Sequence, residues 1–292
     1  MSPLSDAVTH QTDQMEWSLI IRPKRNWFDL RLAELWCYRD LVTLFVRRDF
    51  VAVYKQTILG PLWYLIQPLL TTLVFTVIFG KIANLPTDGL PPFLFYLSGT
   101  VIWAYFAECL NKTSQTFITN AQLFGKVYFP RLAVPISILL SNLVTFAIQF
   151  ALFLALAAYF WVQGSAAQAN IWVLLTPLLL LMMAGLGLGF GIIVSSLTTR
   201  YRDLRFLVTF GVQLWMYASP VIYPMSAVPE RLRPLIQANP VTPIVEALRY
   251  AFLGAGTLSI PNLLYSFAFM VVVLLIGTLI FNRVEATFMD TV

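Results

Sequence analysis

Charged side chains are scarce here: Asp, Glu, Lys and Arg make up 11% of the 292 residues, where a soluble domain carries about 25%. With 59% hydrophobic residues and a mean hydropathy of +0.75, that shortage excludes a soluble globular domain and makes a lipid bilayer the solvent. Histidine occurs once, at His10, and cysteine twice, at Cys37 and Cys109. Two cysteines in different settings exclude a disulfide framework, and no His, Cys and carboxylate cluster is spaced to hold a metal. The G-x-x-x-x-G-K-[ST] pattern of a phosphate-binding loop is missing. Gly125-Lys126 lacks the first glycine and the hydroxyl residue, so no ATP site of that kind is expected on this chain. No nucleophile–base pair stands out, and catalysis on this polypeptide is not expected. Residues 1–26 hold no apolar run of the secretory-signal kind, so the first spanning helix is expected to direct its own insertion.

What the sequence does contain is long apolar runs. A hydrocarbon core of roughly 30 Å needs about 20 apolar residues in a helix. Six segments meet that need with their flanks: Leu62–Phe79, Pro92–Leu110, Leu132–Trp161, Ile171–Leu197, Phe206–Tyr223 and Asn262–Phe281. The third exceeds a span and should project or tilt; Pro220 and Pro224 interrupt the outer end of the fifth. With the N-terminus inside, only Lys81, Arg231, Arg233 and Arg249 of the 19 Lys and Arg fall outside. That bias predicts an all-α membrane protein of six transmembrane helices with both termini cytoplasmic.

Before the spans, residues 1–25 read as a cytoplasmic tail and 26–60 as an amphipathic interface-helix region; 61–292 form the transmembrane domain. From Asn26, a suitable N-cap, Phe28, Leu32, Leu35, Trp36, Val42, Phe45 and Val46 recur at helical spacing. Asp29, Arg31, Glu34, Asp40, Arg47, Arg48 and Asp49 fall largely opposite. That is the pattern of a helix lying in the membrane surface, or of an ordinary packing helix of a cytoplasmic cap. Between Tyr54 and Pro68 the chain changes solvent, with Gly60-Pro61 as the helix break.

Within the spans, Gly185/Gly189 and Gly187/Gly191 resemble a dinucleotide fingerprint by letter only; inside an apolar helix they are GxxxG pairs for close helix approach. Glu108 near the inner end of the second span either serves function or pairs with Lys112. Aromatic residues reach 15%. Trp63, Tyr64, Trp103, Tyr105, Phe106, Trp215 and Tyr217 either belong to interface belts or line a passage for sugars, whose C–H faces suit aromatic rings. The loop 111–131 could be a short surface helix offering Phe117, Ile118 and Phe124 to a partner, or a plain connection. Residues 224–261 hold six prolines around two short helical pieces, with Ile244, Val245, Leu248 and Phe252 on one face of the second. Such pieces suggest a re-entrant element at the outer leaflet.

Arg48-Asp49-Phe50, Tyr54-Lys55-Gln56-Thr57-Ile58-Leu59-Gly60-Pro61-Leu62-Trp63, Ser219-Pro220-Val221-Ile222-Tyr223-Pro224, Asn239-Pro240-Val241-Thr242-Pro243 and Glu246-Ala247-Leu248-Arg249-Tyr250 follow in order. Carrying these, the chain resembles, from about Leu35 onward, the membrane subunit of type-2 ABC exporters, most closely the permeases for O-antigen, teichoic acid and related lipid-linked polysaccharides. The resemblance implies an interface helix, six spans, and an outer gate of two short helices around Tyr223, Ile244, Leu248 and Arg249. It implies a homodimer with its channel between protomers, no cofactor on this chain, and two copies of a P-loop ATPase subunit that binds ATP and Mg. It implies ATPase coupling through Ser114, Gln115, Thr116, Phe117, Ile118, Asn120 and Leu123, with Arg200 and Arg202 at the same contact. The location implied is the bacterial inner membrane.

On that resemblance, a polyprenyl-pyrophosphate-linked glycan is expected to enter at Arg47, Arg48 and Lys55 and pass the aromatic residues above. Rival readings are a type-2 permease for capsule or for a smaller lipid or drug, a membrane glycosyltransferase, and a secondary flippase. Asp88, Glu230 and Glu246, the acidic residues assigned outside, form no evident constellation in the sequence, which disfavours the glycosyltransferase.

Overall fold

The computed structural model describes residues 32–55, 58–124, 126–127, 129–165, 167–198, 201 and 203–287. The expected tail, the Asn26 cap, and Arg200 and Arg202 lie outside the described residues. Every regular element among those described is a helix. The main helices are α1 (Leu32–Cys37), α2 (Arg39–Tyr54), α3 (Trp63–Phe75), α4 (Pro92–Thr113), α5 (Thr116–Thr119) and α6 (Ala121–Phe124). After them come α7 (Ala133–Val162), α8 (Thr176–Thr198), α9 (Leu204–Tyr217), α10 (Arg233–Gln237), α11 (Thr242–Leu253) and α12 (Ile260–Thr287).

Gly60-Pro61 breaks the chain between α2 and α3 as expected. Gly60 has φ +49°, a conformation open to glycine at little cost, and Gly60–Leu62 forms a single 3-10 turn before α3. Helix α3 then runs into a π-helical stretch, Thr76–Ile82. The amphipathic segment is two helices with a break at Tyr38. Val42 and Phe45 are buried in a cluster with Phe129, Ala133 and Ile138, so one face packs against the start of α7. Trp36, expected on that same face, is instead 73% exposed, while Leu35 and Tyr38 pack against the cluster; nine residues before Phe45, Trp36 falls on the opposite side of the helix.

Five helical stretches among the described residues are long and apolar enough to cross a bilayer: Gly60–Ile82, Pro92–Thr113, Ala133–Val162, Ile171–Thr198 and Ile260–Val284. The remaining expected span is interrupted. Helix α9 has 14 residues, about 21 Å at 1.5 Å per residue, and gives way to an irregular turn over 218–224. Its backbone cannot continue as helix there, since Pro220 and Pro224 supply no N–H. Helix α7, with 30 residues, is about 45 Å long and exceeds a membrane crossing, as its sequence predicts.

Helix α8 sits between α4 and α12, and its two GxxxG pairs serve one neighbour each. A Cβ on Gly187 would stand 2.8 Å from Cβ of Cys109, and one on Gly191 2.6 Å from Cβ of Thr113, both on α4. A Cβ on Gly189 would stand 2.8 Å from Val273, and one on Gly185 would collide with Met270, both on α12. Residues two apart point in nearly opposite directions on a helix, which is how one run of glycines seats two partners. Gly277 returns the fit from α12, where a Cβ would lie 2.8 Å from the Gly189 carbonyl oxygen.

Gly187→Val should therefore overpack the α4–α8 contact and cost about 1–3 kcal/mol. Gly211→Ala on α9, where nothing lies within 4 Å of the new Cβ, should gain about 0.4–1 kcal/mol. Thermal unfolding of the purified chain in detergent measures both; equal melting of the two variants would contradict this packing.

Candidate functional site

Among the described residues, polar side chains line two cavities. The first is an open-sided cavity of about 300 Å³ between α3, α4 and α7. Asn142, Thr145 and Gln149 line it from α7, spaced three and four residues apart and so on one helix face. Tyr64, Gln67 and Thr71 line it from α3, and Trp103, Tyr105, Glu108 and Lys112 from α4. Lys112 Nζ lies 2.9 Å from Glu108 Oε2 and donates to Asn142 Oδ1 at 2.9 Å. The pairing of Glu108 with Lys112 is thus present, and half of each side chain stays exposed. Asn142 Nδ2 points at the buried Cys109 sulfur, 3.7 Å away. The wall offers aromatic faces, amides and one neutralised ion pair, a surface able to hydrogen-bond hydroxyl groups without attracting either sign of charge.

Of the seven aromatic residues expected along a passage, Tyr64, Trp103 and Tyr105 line this cavity. Phe106 and Trp215 instead pack together with ring centroids 5.2 Å apart, and Phe190 joins Trp215 at 5.3 Å. Trp215 Nε1 donates to Asn239 Oδ1 at 3.1 Å, so its polar edge is already committed. Trp63 and Tyr217 are exposed on the outside of the bundle. The stripe Asn142, Thr145 and Gln149 escapes a reading based on hydropathy, because α7 remains strongly apolar on average. Its spacing of three and four was the available signal.

The second polar site surrounds α11. Eleven of its twelve residues are buried, among them the expected gate residues Ile244 and Leu248. Arg249 is 1% exposed. Its Nη1 and Nη2 donate to the carbonyl oxygens of Pro220 and Val221 at 2.5 Å each, and its guanidinium carbon lies 3.8 Å from the Phe95 ring centroid. Glu246 Oε1 is 3.6 Å from Nη1. Helix α4 admits the guanidinium at Gly99, where a Cβ would stand 2.7 Å from Nη2. Burial pulls the Arg249 pKa down to about 10 against the opposing effect of Glu246, so the group stays charged at neutral pH. Burial pushes the Glu246 carboxyl up from its ordinary value, and Arg249 and the Thr257 hydrogen bonds draw it back.

Neighbouring loops complete this end. Asn239 donates to Ser219 Oγ at 2.8 Å and accepts from Trp215 and from its own loop at Val241 N. Asn170 pairs with the last carbonyls of α11 at Tyr250 and Ala251, satisfying acceptors that a helix end leaves free. Tyr223 Oη donates to the Tyr217 carbonyl at 3.3 Å. A pocket of about 350 Å³ beside α11 brings Asp88, Arg233 and Glu246 together with Ser226, Gln237 and Thr257. Two of the three acidic residues that form no constellation in the sequence therefore share one pocket; Glu230 stays apart and exposed.

At the opposite end, the loop after α4 forms α5 and α6. Phe117 is buried and stacks on Phe281 of α12 at 4.8 Å, and Phe124 is buried beside it at 5.9 Å. The expectation that these two rings are open to a partner is corrected: they anchor the loop inside the chain. Ser114 and Thr116 are buried too, and Thr198 Oγ1 donates to the Ser114 carbonyl at 3.1 Å. Gln115, Ile118, Asn120 and Leu123 keep partly exposed surface. Arg47 and Arg48 on α2, and Lys55 just after it, are exposed. Arg48 is held by Asp49 at 2.8 Å and lies over Phe45 at 4.9 Å.

The pattern of the ABC-2 type transporter family matches residues 40–253. The chain belongs to this family. The O-antigen export system permease protein RfbA of Klebsiella pneumoniae is 27% identical over 252 residues, covering 86% of this chain and 94% of that protein. The protein of the same name in Myxococcus xanthus is 29% identical over 224 residues, covering 76% and 83%. The polysialic acid transport protein KpsM of Escherichia coli is 24% identical over 233 residues, covering 78% and 86%. The family match begins within α2 and ends with α11, so it covers the first polar site and all of the second but Gly256 and Thr257.

Arg249→Met should leave Glu246 buried without its partner and cost about 3–5 kcal/mol. Adding Glu246→Gln should recover part of that loss. Thermal melting of detergent-purified variants tests the pair; an Arg249→Met protein that melts with the parent would show the guanidinium to be dispensable.

Proposed function

We propose that this chain is the membrane subunit of an ATP-driven exporter of lipid-linked polysaccharide, O-antigen-like in class. The observation that supports it best is the neutral, aromatic and amide-lined cavity inside a chain of the ABC-2 family whose relatives are named for O-antigen and polysialic acid transport. Two protomers pair, with a continuous channel between them, and two copies of a separate ATPase subunit bind ATP and Mg. The exposed apolar faces of α3 (Leu70, Leu73, Val74) and α9 (Phe206, Phe210, Leu214) are available for that pairing or for lipid. Helix α9 and the turn over 218–224 together make a sixth crossing, which leaves both termini in the cytoplasm and fits the distribution of Lys and Arg.

On this reading the anionic pyrophosphate linkage of the substrate meets Arg47 and Lys55 at the cytoplasmic surface, with Arg48 already drawn to Asp49. The sugars pass Tyr64, whose ring is partly exposed, and the edges of Trp103 and Tyr105, and the amide of Gln149 exchanges hydrogen bonds with hydroxyls. Such contacts hold many sugars moderately and none tightly, which suits a moving chain. The α5–α6 loop docks on the ATPase through Gln115, Ile118, Asn120 and Leu123; its buried rings pass the motion to α12 and α8. The likeness to the polysialic acid transport protein keeps one second reading open, export of a capsule polysaccharide.

Loss of the chain in a glycan-producing cell should abolish surface polysaccharide and leave the lipid-linked glycan inside; unchanged surface polysaccharide would sink the proposal. A cation near an anionic headgroup contributes about 1 kcal/mol. Arg47→Ala with Lys55→Ala should therefore weaken apparent substrate affinity roughly 30-fold, with assembly intact. Tyr64→Leu, at a partly exposed position of the cavity wall, should lower export without disturbing folding, as read by surface polysaccharide and by size-exclusion chromatography.

A further inference from the structure

Two walls of the cavity between α3, α4 and α7 carry polar groups that the fold itself does not use. Gln67 and Thr71 stand one turn apart on α3, Thr145 and Gln149 one turn apart on α7, and all four line the cavity. None of the four has a side-chain hydrogen bond to another described residue. Threonines elsewhere in this bundle return the hydroxyl to their own helix. Thr76 Oγ1 donates to the Thr72 carbonyl at 2.7 Å, Thr100 Oγ1 to Tyr96 at 2.9 Å and Thr278 Oγ1 to Leu274 at 2.8 Å. Thr71 and Thr145 do not. Gln149 is only 9% exposed, and both atoms of its amide still reach accessible surface where the side chain lines the cavity. An amide held at membrane depth without a partner is costly, so these walls call for an occupant that hydrogen-bonds.

The charges decide which occupant. The lining holds one cation and one anion, Lys112 and Glu108, and they face each other at 2.9 Å. Lys112 also donates to Asn142, so the pair is fixed to the inner part of α7. Gln149 lies seven residues further along that helix, about 10 Å at 1.5 Å per residue. A carboxylate drawn up beside Gln149 finds amide and hydroxyl donors there and no cation in the lining. A charge buried without a counter-ion costs far more than a buried hydroxyl that keeps its hydrogen bonds. A neutral sugar unit gives up hydrogen bonds to water and regains them from amides and hydroxyls, which both donate and accept.

We propose that Gln67, Thr71, Thr145 and Gln149 are the specificity-determining groups of the passage, admitting neutral sugar units and rejecting units that carry a carboxylate. The proposal rests on the exporter reading and names the substrate class within it, a neutral glycan rather than an acidic one. Selection works through what the walls withhold. They replace the hydration of a hydroxyl and offer an acid no counter-charge.

The test expresses the full chain with its ATPase subunit in two strains that make the same lipid-linked glycan, one neutral and one bearing a uronic acid on each repeat. The readout is surface polysaccharide relative to the glycan held inside. The unmodified chain should export the neutral glycan at least about tenfold better, the effect of one charge-assisted hydrogen bond missing from the acidic one. Gln149→Lys places a cation on the wall, and should lower neutral export and raise acidic export by about the same factor. Gln67→Lys, at an exposed position lining the same cavity, repeats the measurement should Gln149→Lys fail to assemble by size-exclusion chromatography. Equal or better export of the acidic glycan by the unmodified chain overturns the selection and leaves the exporter reading standing. An unchanged ratio in whichever variant assembles does the same. Absence of export of either glycan by the unmodified chain overturns the exporter reading itself.

Discussion

The buried guanidinium of Arg249 is the constraint on which one whole end of this protein depends. A charge removed from solvent is tolerable only when its donors are used, and here the guanidinium ties its own helix to two other segments. Two carbonyls come from the turn that stops α9, the ring of Phe95 comes from α4, and Glu246 comes from the same helix one turn earlier. Gly99 leaves the space for it. Because Glu246 in turn fixes Thr257, the loop leading into α12 inherits its position from the same charge. A short helix of mostly apolar residues has little to distinguish one orientation from another. The arginine supplies that distinction.

The opposite end is held differently. There the α5–α6 loop is pinned by stacked rings, Phe117 on Phe281 and Phe124 on Phe117, and by the α2 face around Val42 and Phe45. Between the ends, α4, α8 and α12 are joined through glycine contacts that bring backbones close, a packing that works where lipid competes for apolar surface. A rigid three-helix spine with a polar staple at one end and an aromatic anchor at the other can carry motion along its length. The cavity lies between this spine, at α4, and the flanking helices α3 and α7.

Much of this was legible in the sequence for simple reasons. Apolar runs longer than a bilayer are set by composition, so the five long helices and the over-long α7 were readable. The Gly60-Pro61 break was readable because its two residues restrict the backbone locally. The GxxxG pairs announced close approach, though not that alternate glycines serve different neighbours. The interruption of the fifth expected span was readable from Pro220 and Pro224, and α9 ends before them at Tyr217. Phe117 and Phe124 were misplaced because an aromatic residue in a polar loop has no local signal for what lies above it.

The sequence by itself determined the solvent of this protein, its helical class and the order of its membrane segments, since each follows from local composition and local backbone chemistry. Only the tertiary structure decided which polar groups meet. Arg249 reaches carbonyls 28 and 29 residues away and the Ser98 hydroxyl 151 residues away; Asp88 meets Ser226 across 138. Contacts of that reach come from how helices pack, and no local pattern encodes them.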